Sequence, residues 1–244
     1  MAQNFKKQSE VEKVRVESLN KWLLPVVLLL VIIGGISVFP APVQAGSLDF
    51  GVIAPTSGSI SYAGGATPLV GADIQVDNVT GVDGTPANDG VTLLLSNATL
   101  NFTTGNFSGS DATTWFFSGG GSISLTGGVP ALGIADGTTL FSGSFDSARV
   151  VKSDDIFKVS IAAFTDTKNA DLVAFYGLPS GIPYVGNFNI SFNALGSPPA
   201  GFSSSLVLSG DITNTPVPEP AALTLVGSGM IGLAGFARRR LFKI

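Results

Sequence analysis

The sequence contains no cysteine and no histidine, and only 12% of its 244 residues are charged. The missing cysteines exclude disulfides, thiolate zinc sites, iron–sulfur clusters and cysteine nucleophiles. The missing histidines remove the side chain that most often acts as a general base near neutral pH. The composition therefore predicts a fold that is stabilised by its apolar core and its sheet pairing.

Basic residues and glutamates are scarce in the middle of the chain. Residues 46–215 contain thirteen aspartates, no glutamate and only four basic residues, Arg149, Lys152, Lys158 and Lys168. An acidic surface repels phosphate backbones, so we expect no nucleic-acid binding. Catalysis would have to use aspartates, serines and lysines, and nothing in their spacing indicates an active site. We expect a non-enzymatic protein without a cofactor.

Residues 1–45 have the three parts of a secretory signal peptide. A leader that contains basic residues runs to Lys21, an apolar stretch extends from Trp22 to Phe39, and small residues precede Gly46. This order predicts an apolar signal helix and cleavage between Ala45 and Gly46. The alternative is a retained membrane anchor, because the apolar stretch is long for a signal core. Both interpretations export the chain that follows.

A second apolar segment covers residues 221–237 and is followed directly by Arg238, Arg239 and Arg240. A helix of this length spans about 25 Å, which is close to the thickness of a bilayer core. The positive-inside rule places the arginines in the cytoplasm. The segment therefore predicts a transmembrane helix that leaves the preceding domain outside.

Pro218, Glu219 and Pro220, the apolar span and the arginine cluster together resemble the PEP-CTERM sorting signal of Gram-negative bacteria, over residues 216–244. The resemblance implies that an exosortase, a transpeptidase-like membrane enzyme, recognises the segment after export. Proline lacks an amide proton and disfavours helix in the residue before it, so the approach to the membrane should be extended. The alternative is an ordinary tail anchor behind a proline-rich linker.

Residues 46–215 show the two-residue period of β-strands. Phe188, Ile190 and Phe192 alternate with polar residues in "FNISFNAL", and residues 156–164 follow the same pattern. Glycine, aspartate, asparagine and proline separate such stretches, as they do in turns. We predict a single all-β domain, either an antiparallel β-sandwich or an open barrel. It should contain no helix longer than two turns, and the three apolar residues should share one buried face.

Three aromatic residues are candidates for binding a carbohydrate. Trp115, with Tyr176 or Tyr184, could stack on a sugar ring if these side chains were exposed. Aromatic residues of a small all-β domain more often fill its core, so the exposure of these rings distinguishes the two interpretations.

Acidic and amide side chains raise two weaker possibilities. Oxygen ligands for calcium occur near two turns, at Asp83, Asn88 and Asp89 and at Asp154 and Asp155. Turn formation explains these residues better, because aspartate and asparagine are favoured in turns. Asp154 and Asp166 are a formal carboxylate pair for glycoside hydrolysis.

The sequence as a whole predicts an exported, non-enzymatic envelope or matrix protein that is sorted by an exosortase. We expect an inner-membrane intermediate, followed by the cell surface or an extracellular matrix of polysaccharide or biofilm. The alternative function is a carbohydrate-binding β-sandwich module, which an exposed Trp115 would favour. An enzyme would need at least two carboxylates that converge in a cleft.

Overall fold

A computed structural model describes residues 46–54, 56–217 and 229–230. Residues 46–217 form thirteen strands, a 3-10 turn at Pro130–Leu132 and a short helix, α1, at Ala170–Phe175. The strands are β1 Ser47–Val52, β2 Ser59–Tyr62, β3 Pro68–Gln75, β4 Asn78–Val82, β5 Thr92–Leu94, β6 Ser96–Ser110, β7 Thr114–Phe117, β8 Gly120–Val129, β9 Ile134–Ser153, β10 Ile156–Lys168, β11 Tyr184–Asn193, β12 Phe202–Ser204 and β13 Val207–Pro216. The predicted all-β class is confirmed.

Hydrogen bonds join all thirteen strands into one antiparallel sheet. The order along the sheet is β12-β2-β3-β6-β7-β9-β10-β11-β13-β1-β4-β5, and β8 pairs with β6 and β9. The last strand, β13, therefore lies inside the sheet, between β11 and β1.

The sheet curls back on itself through a long, bent pair of strands. Only two residues separate β3 from β4, and only Leu95 separates β5 from β6. The pairing continues through the bend, because Val76 N donates to Ala98 O at 3.0 Å and Leu95 N donates to Asp77 O at 2.9 Å. Strands β3 and β6 lie near one end of the strand order, whereas β4 and β5 form the opposite end. The bent pair therefore belongs to both ends of the sheet, which brings distant strands face to face.

The core lies inside the curl and is rich in aromatic residues. Phe102 of β6 packs against Phe188 of β11, with ring centroids 5.1 Å apart, although these strands are not neighbours in the sheet. The predicted face of β11 is confirmed, since Phe188, Ile190 and Phe192 are all buried. The two-residue period of this strand was therefore sufficient to place its side chains.

Helix α1 was not predicted and corrects the expectation of strands throughout residues 46–215. Asn169 caps it, because its side-chain oxygen accepts hydrogen bonds from Asp171 N at 3.0 Å and Leu172 N at 3.1 Å. Leu172 and Val173 are buried in the core. The helix has six residues, so the predicted limit of two turns holds for the described part of the domain.

Strand β10 contains a bulge that reverses which residues face the core. Its register with β11 shifts between Val159 and Ala162, and its register with β9 shifts between Ser160 and Phe164. Phe157 and Val159 are buried before the bulge, whereas Phe164 and Asp166 are buried after it. The inward positions thus change from odd to even numbers, as an inserted residue requires.

The two predicted membrane-directed helices lie outside the described residues, apart from Gly229 and Met230, which are helical. In the part of the chain that the structure describes, no helix is both long and apolar enough to cross a bilayer.

Candidate functional site

The predicted sorting segment starts where the central strand β13 ends. Pro216 is the last residue of β13 and pairs with Tyr184 of β11. Val217 is still attached to the domain, because its amide donates to Pro183 O at 3.0 Å. Pro218 therefore follows the folded domain without a linker. The sorting residues themselves, Pro218, Glu219, Pro220, Arg238, Arg239 and Arg240, lie outside the described residues.

The first described residues lie beside this exit point. Ser47 Oγ and Thr215 Oγ1 are hydrogen-bonded at 2.9 Å, because the start of β1 pairs with the end of β13. Gly46 is buried, and a Cβ atom at this position would meet Thr85 Cα at 2.5 Å. Ala45, on the other side of the predicted signal cleavage site, lies outside the described residues. The chain thus enters and leaves the domain at the same end.

Residues 216–240 match the family model of the PEP-CTERM protein-sorting motif. The chain carries a PEP-CTERM motif. This motif indicates an exported protein that is processed by an exosortase and sorted to the cell surface. No curated protein matches the chain, and no solved structure matches it.

The three aromatic candidates for sugar binding are all buried. Trp115, Tyr176 and Tyr184 each have 0% of their surface exposed. Trp115 packs against Phe157 and Phe202, with ring centroids 5.2 and 5.0 Å away. A sugar ring cannot stack on an aromatic face that is already covered by protein. The suggestion that these residues bind carbohydrate is therefore wrong, and they belong to the core.

Each of these buried rings also satisfies its polar atom within the protein. Trp115 Nε1 donates to Ala200 O at 2.9 Å, and the Tyr184 hydroxyl donates to Pro179 O at 2.6 Å. The Tyr176 hydroxyl lies 3.0 Å from the carbonyl oxygens of both Val79 and Val91. Burial raises the pKa of Tyr176 and of Tyr184 to about 12. These contacts tie loops to the sheet.

The first group of acidic candidates forms a turn. Asp89 Oδ1 accepts hydrogen bonds from Gly84 N and Thr85 N, both at 3.1 Å. Asn88 Nδ2 donates to Phe175 O at 2.6 Å. Asp83 and Asn88 have the positive φ angles, 61° and 52°, that asparagine and aspartate tolerate in turns. Among the residues that the structure describes, no three acidic side chains converge as metal ligands.

The formal carboxylate pair of Asp154 and Asp166 is not a pair in the structure. Asp154 lies in the exposed turn before β10, whereas Asp166 is buried near the other end of that strand. Roughly 40 Å of extended chain separates them, while a glycosidase needs its two carboxyl groups within about 10 Å. The possibility of hydrolysis by these two residues is therefore wrong.

Asp166 instead belongs to a buried polar cluster with Lys168 and Asn214. One carboxylate oxygen, Asp166 Oδ2, accepts hydrogen bonds from Lys168 Nζ and from Asn214 Nδ2, the latter at 3.0 Å. The side chains of Asp166 and Lys168 are 0% and 1% exposed, and Asn214 is fully buried. Among the residues that the structure describes, none provides a hydrogen-bond partner for Asp166 Oδ1 or Asn214 Oδ1. We call these three residues the Asp–Lys–Asn cluster.

Aromatic rings enclose the ammonium group of this cluster. Lys168 Nζ lies 4.5 Å from the ring centroid of Phe141, 5.2 Å from Tyr184 and 5.8 Å from Phe50. Burial lowers the pKa of Lys168 to about 8, and the attraction of Asp166 opposes this shift only in part. Burial likewise raises the pKa of Asp166 against the opposing charge of Lys168. Both shifts favour the neutral forms of the two groups.

Sequence reasoning missed this cluster because it assumed an unbroken period in β10. Extending the pattern of Phe157 and Val159 would place residues 166 and 168 on the solvent face. The bulge places them in the core instead. The usable signal was that Asp166 and Lys168 continue the even-numbered positions that begin at Phe164.

Proposed function

We propose that this protein is a non-enzymatic structural component of the cell envelope or extracellular matrix, delivered by exosortase processing of its PEP-CTERM segment. The observation that carries the proposal is the sorting motif at residues 216–240, which begins at the last residue of a central strand. The domain is folded up to that residue, so the motif follows the last strand directly.

The route has three stages. The signal segment directs export, and the apolar span at residues 221–237 then holds the chain in the inner membrane, with Arg238, Arg239 and Arg240 on the cytoplasmic side. The exosortase acts at Pro218-Glu219-Pro220 and releases the domain to the cell surface or to a matrix of polysaccharide or biofilm.

The proposed role of the β domain is structural. Its curled sheet, which we interpret as an open barrel, encloses an aromatic core in which Trp115, Tyr176 and Tyr184 are buried. The acidic candidates support a turn or lie far apart rather than converge in a cleft. Both features favour a scaffold over a catalyst, and they remove the reason for proposing a carbohydrate-binding module.

Mass spectrometry of the mature protein tests this proposal. In the native host, we expect the protein to lack residues 221–244, and in an exosortase-deletion strain to retain them. Glu219→Ala should insert normally yet stay unprocessed, because the apolar span is unchanged. Replacing Arg238, Arg239 and Arg240 by glutamine should impair membrane retention.

The matched control is Thr224→Ala, which alters the span but leaves Pro218-Glu219-Pro220 and the three arginines unchanged, and it should be processed as the wild type is. An intact C-terminal segment in both the wild-type and the deletion strain would show a permanent anchor and refute the proposal.

A further inference from the structure

The Asp–Lys–Asn cluster brings an amine, a carboxamide and a carboxyl group together in the core. Lys168 Nζ and Asn214 Nδ2 both donate to the same oxygen of Asp166, so the amine and the carboxamide share one acceptor. We infer that Lys168 and Asn214 become joined by an amide bond between their side chains, with Asp166 as the acid–base group. This bond would covalently connect β10 to β13 across β11.

The reaction balances without any additional reagent. The neutral Lys168 amine attacks Cγ of Asn214, and a bond forms between Nζ and Cγ. The bond between Cγ and Nδ2 breaks, and the nitrogen leaves as ammonia. Asp166 in its protonated form donates to the departing nitrogen and takes up the proton that the attacking amine loses, so the carboxyl group is regenerated.

The surroundings of the cluster favour this chemistry. An amine is a nucleophile only when it is neutral, and burial among Phe50, Phe141 and Tyr184 favours the neutral amine together with a protonated carboxyl group. The exclusion of water also protects the product from hydrolysis.

Within the described part of the chain, the unlinked cluster leaves two buried oxygens, Asp166 Oδ1 and Asn214 Oδ1, without partners. A buried ion pair is costly unless all of its hydrogen-bonding positions are satisfied. In the product the ionic charges are gone, and the carboxyl proton on Asp166 can be donated to the former Asn214 oxygen. The reaction thus provides partners for both atoms.

The intervening strand is shaped to let these side chains meet. Asp166 and Asn214 lie on either side of β11, where Asp166 pairs with Tyr184 and Asn214 pairs with Gly186, two residues further along. A Cβ atom at Gly186 would come within 2.2 Å of Asn214 Nδ2. On the other side of Asp166, a Cβ at Gly143 would come within 2.7 Å of the Asp166 Cα atom. Glycines on both flanks therefore leave the space that the cluster occupies.

Peptide mapping of the full chain, isolated from the membrane fraction of its host and denatured, tests the bond. Chymotrypsin cleaves after Phe164, Phe175 and Phe202, so residues 165–175 contain Lys168 and the peptide that starts at Ser203 contains Asn214. Slower cleavage after Leu172, Leu206 or Leu208 shortens these peptides but keeps Lys168 in the first and Asn214 in the second. We expect these two peptides to be recovered as one covalent species whose mass is lower than their sum by one ammonia. Two separate peptides of unmodified mass would overturn the inference.

Single-residue variants test the role of each side chain in the cluster. Lys168→Met and Asn214→Ala should each abolish the linked species, and Asp166→Ala should abolish it while retaining both reacting groups. Lys158→Met, at an exposed position of the same strand, is the matched control and should leave the link intact. A linked species that persists in Lys168→Met or Asn214→Ala would refute the assigned bond, and one that persists in Asp166→Ala would refute the role of Asp166. The peptide masses of the wild-type protein show whether the amide bond exists even if a variant fails to fold.

Discussion

At the level of single residues, Asp49 of β1 has a shifted pKa whose effect on stability can be measured by substitution. Its Oδ1 atom is buried and lacks a hydrogen-bond partner among residues 46–54, 56–217 and 229–230. Burial raises the pKa of Asp49 above its usual value of 3.8, and the negative charges of Asp211 and Asp83 raise it further. The folded state therefore holds the proton more tightly than the unfolded state does. The contribution of Asp49 to stability is present below pH 3.8 and is lost as the pH rises through the folded pKa.

We predict that Asp49→Asn increases the free energy of unfolding at neutral pH, because asparagine stays neutral where the wild-type carboxylate is ionised. The gain should shrink when urea denaturation is repeated below pH 3.8. Asp146→Asn, an equal charge change at an exposed position of β9, is the control. An equal gain in both variants would attribute the effect to net charge instead.

Single residues also show where sequence reasoning succeeds. The sorting motif could be found from the sequence, because its residues are contiguous and its order is fixed. The burial of Trp115 was an open alternative, since an aromatic residue in a strand suits both a core and a sugar-binding face. The Asp–Lys–Asn cluster could not be found in this way, because residues 168 and 214 meet only through the register of three strands.

At the level of the elements, the two-residue period of a regular strand could be recognised in the sequence, but a bulge that interrupts this period could not. The alternation in β11 placed Phe188, Ile190 and Phe192 correctly. The same rule failed in β10, because one bulge reverses the two faces of the strand. The order of the strands in the sheet was not predictable either, since it depends on which distant segments pair rather than on local pattern.

Helix α1 was missed because its six residues are too few to show a helical period. Its formation depends on the cap at Asn169 and on the burial of Leu172 and Val173. We predict that Asn169→Ala lowers the free energy of unfolding by about 1 kcal/mol, because Asp171 N and Leu172 N lose their acceptor. Thermal or urea denaturation measures this change.

Asn187→Ala, at an exposed position of β11, is the control for this substitution and should change stability much less. Equal losses in the two variants would mean that the cap contributes nothing specific.

At the level of the whole molecule, the first and last strands of the domain pair with each other inside the sheet. Leu48 of β1 pairs with Asn214 of β13, so the residues that complete the sheet are far apart in sequence. Such non-local pairing folds slowly, because the loop must close before the contact forms. The position of β13 between β11 and β1 makes that strand essential.

We predict that a chain of residues 46–217 folds and unfolds cooperatively with a β-type circular dichroism spectrum. A chain of residues 46–206 lacks β13 and should fail to fold or should aggregate, because β11 and β1 are left with unpaired edges. Size-exclusion chromatography and circular dichroism compare the two. A monomeric, cooperatively folding shorter chain would contradict the central role of β13.

The placement of β13 has a consequence for the timing of secretion. Strand β13 pairs with both β11 and β1, so the sheet is completed only once residues 207–216 are available to pair. The PEP-CTERM motif starts at the last residue of this strand, so we expect the strand to pair before the exosortase cleaves the chain.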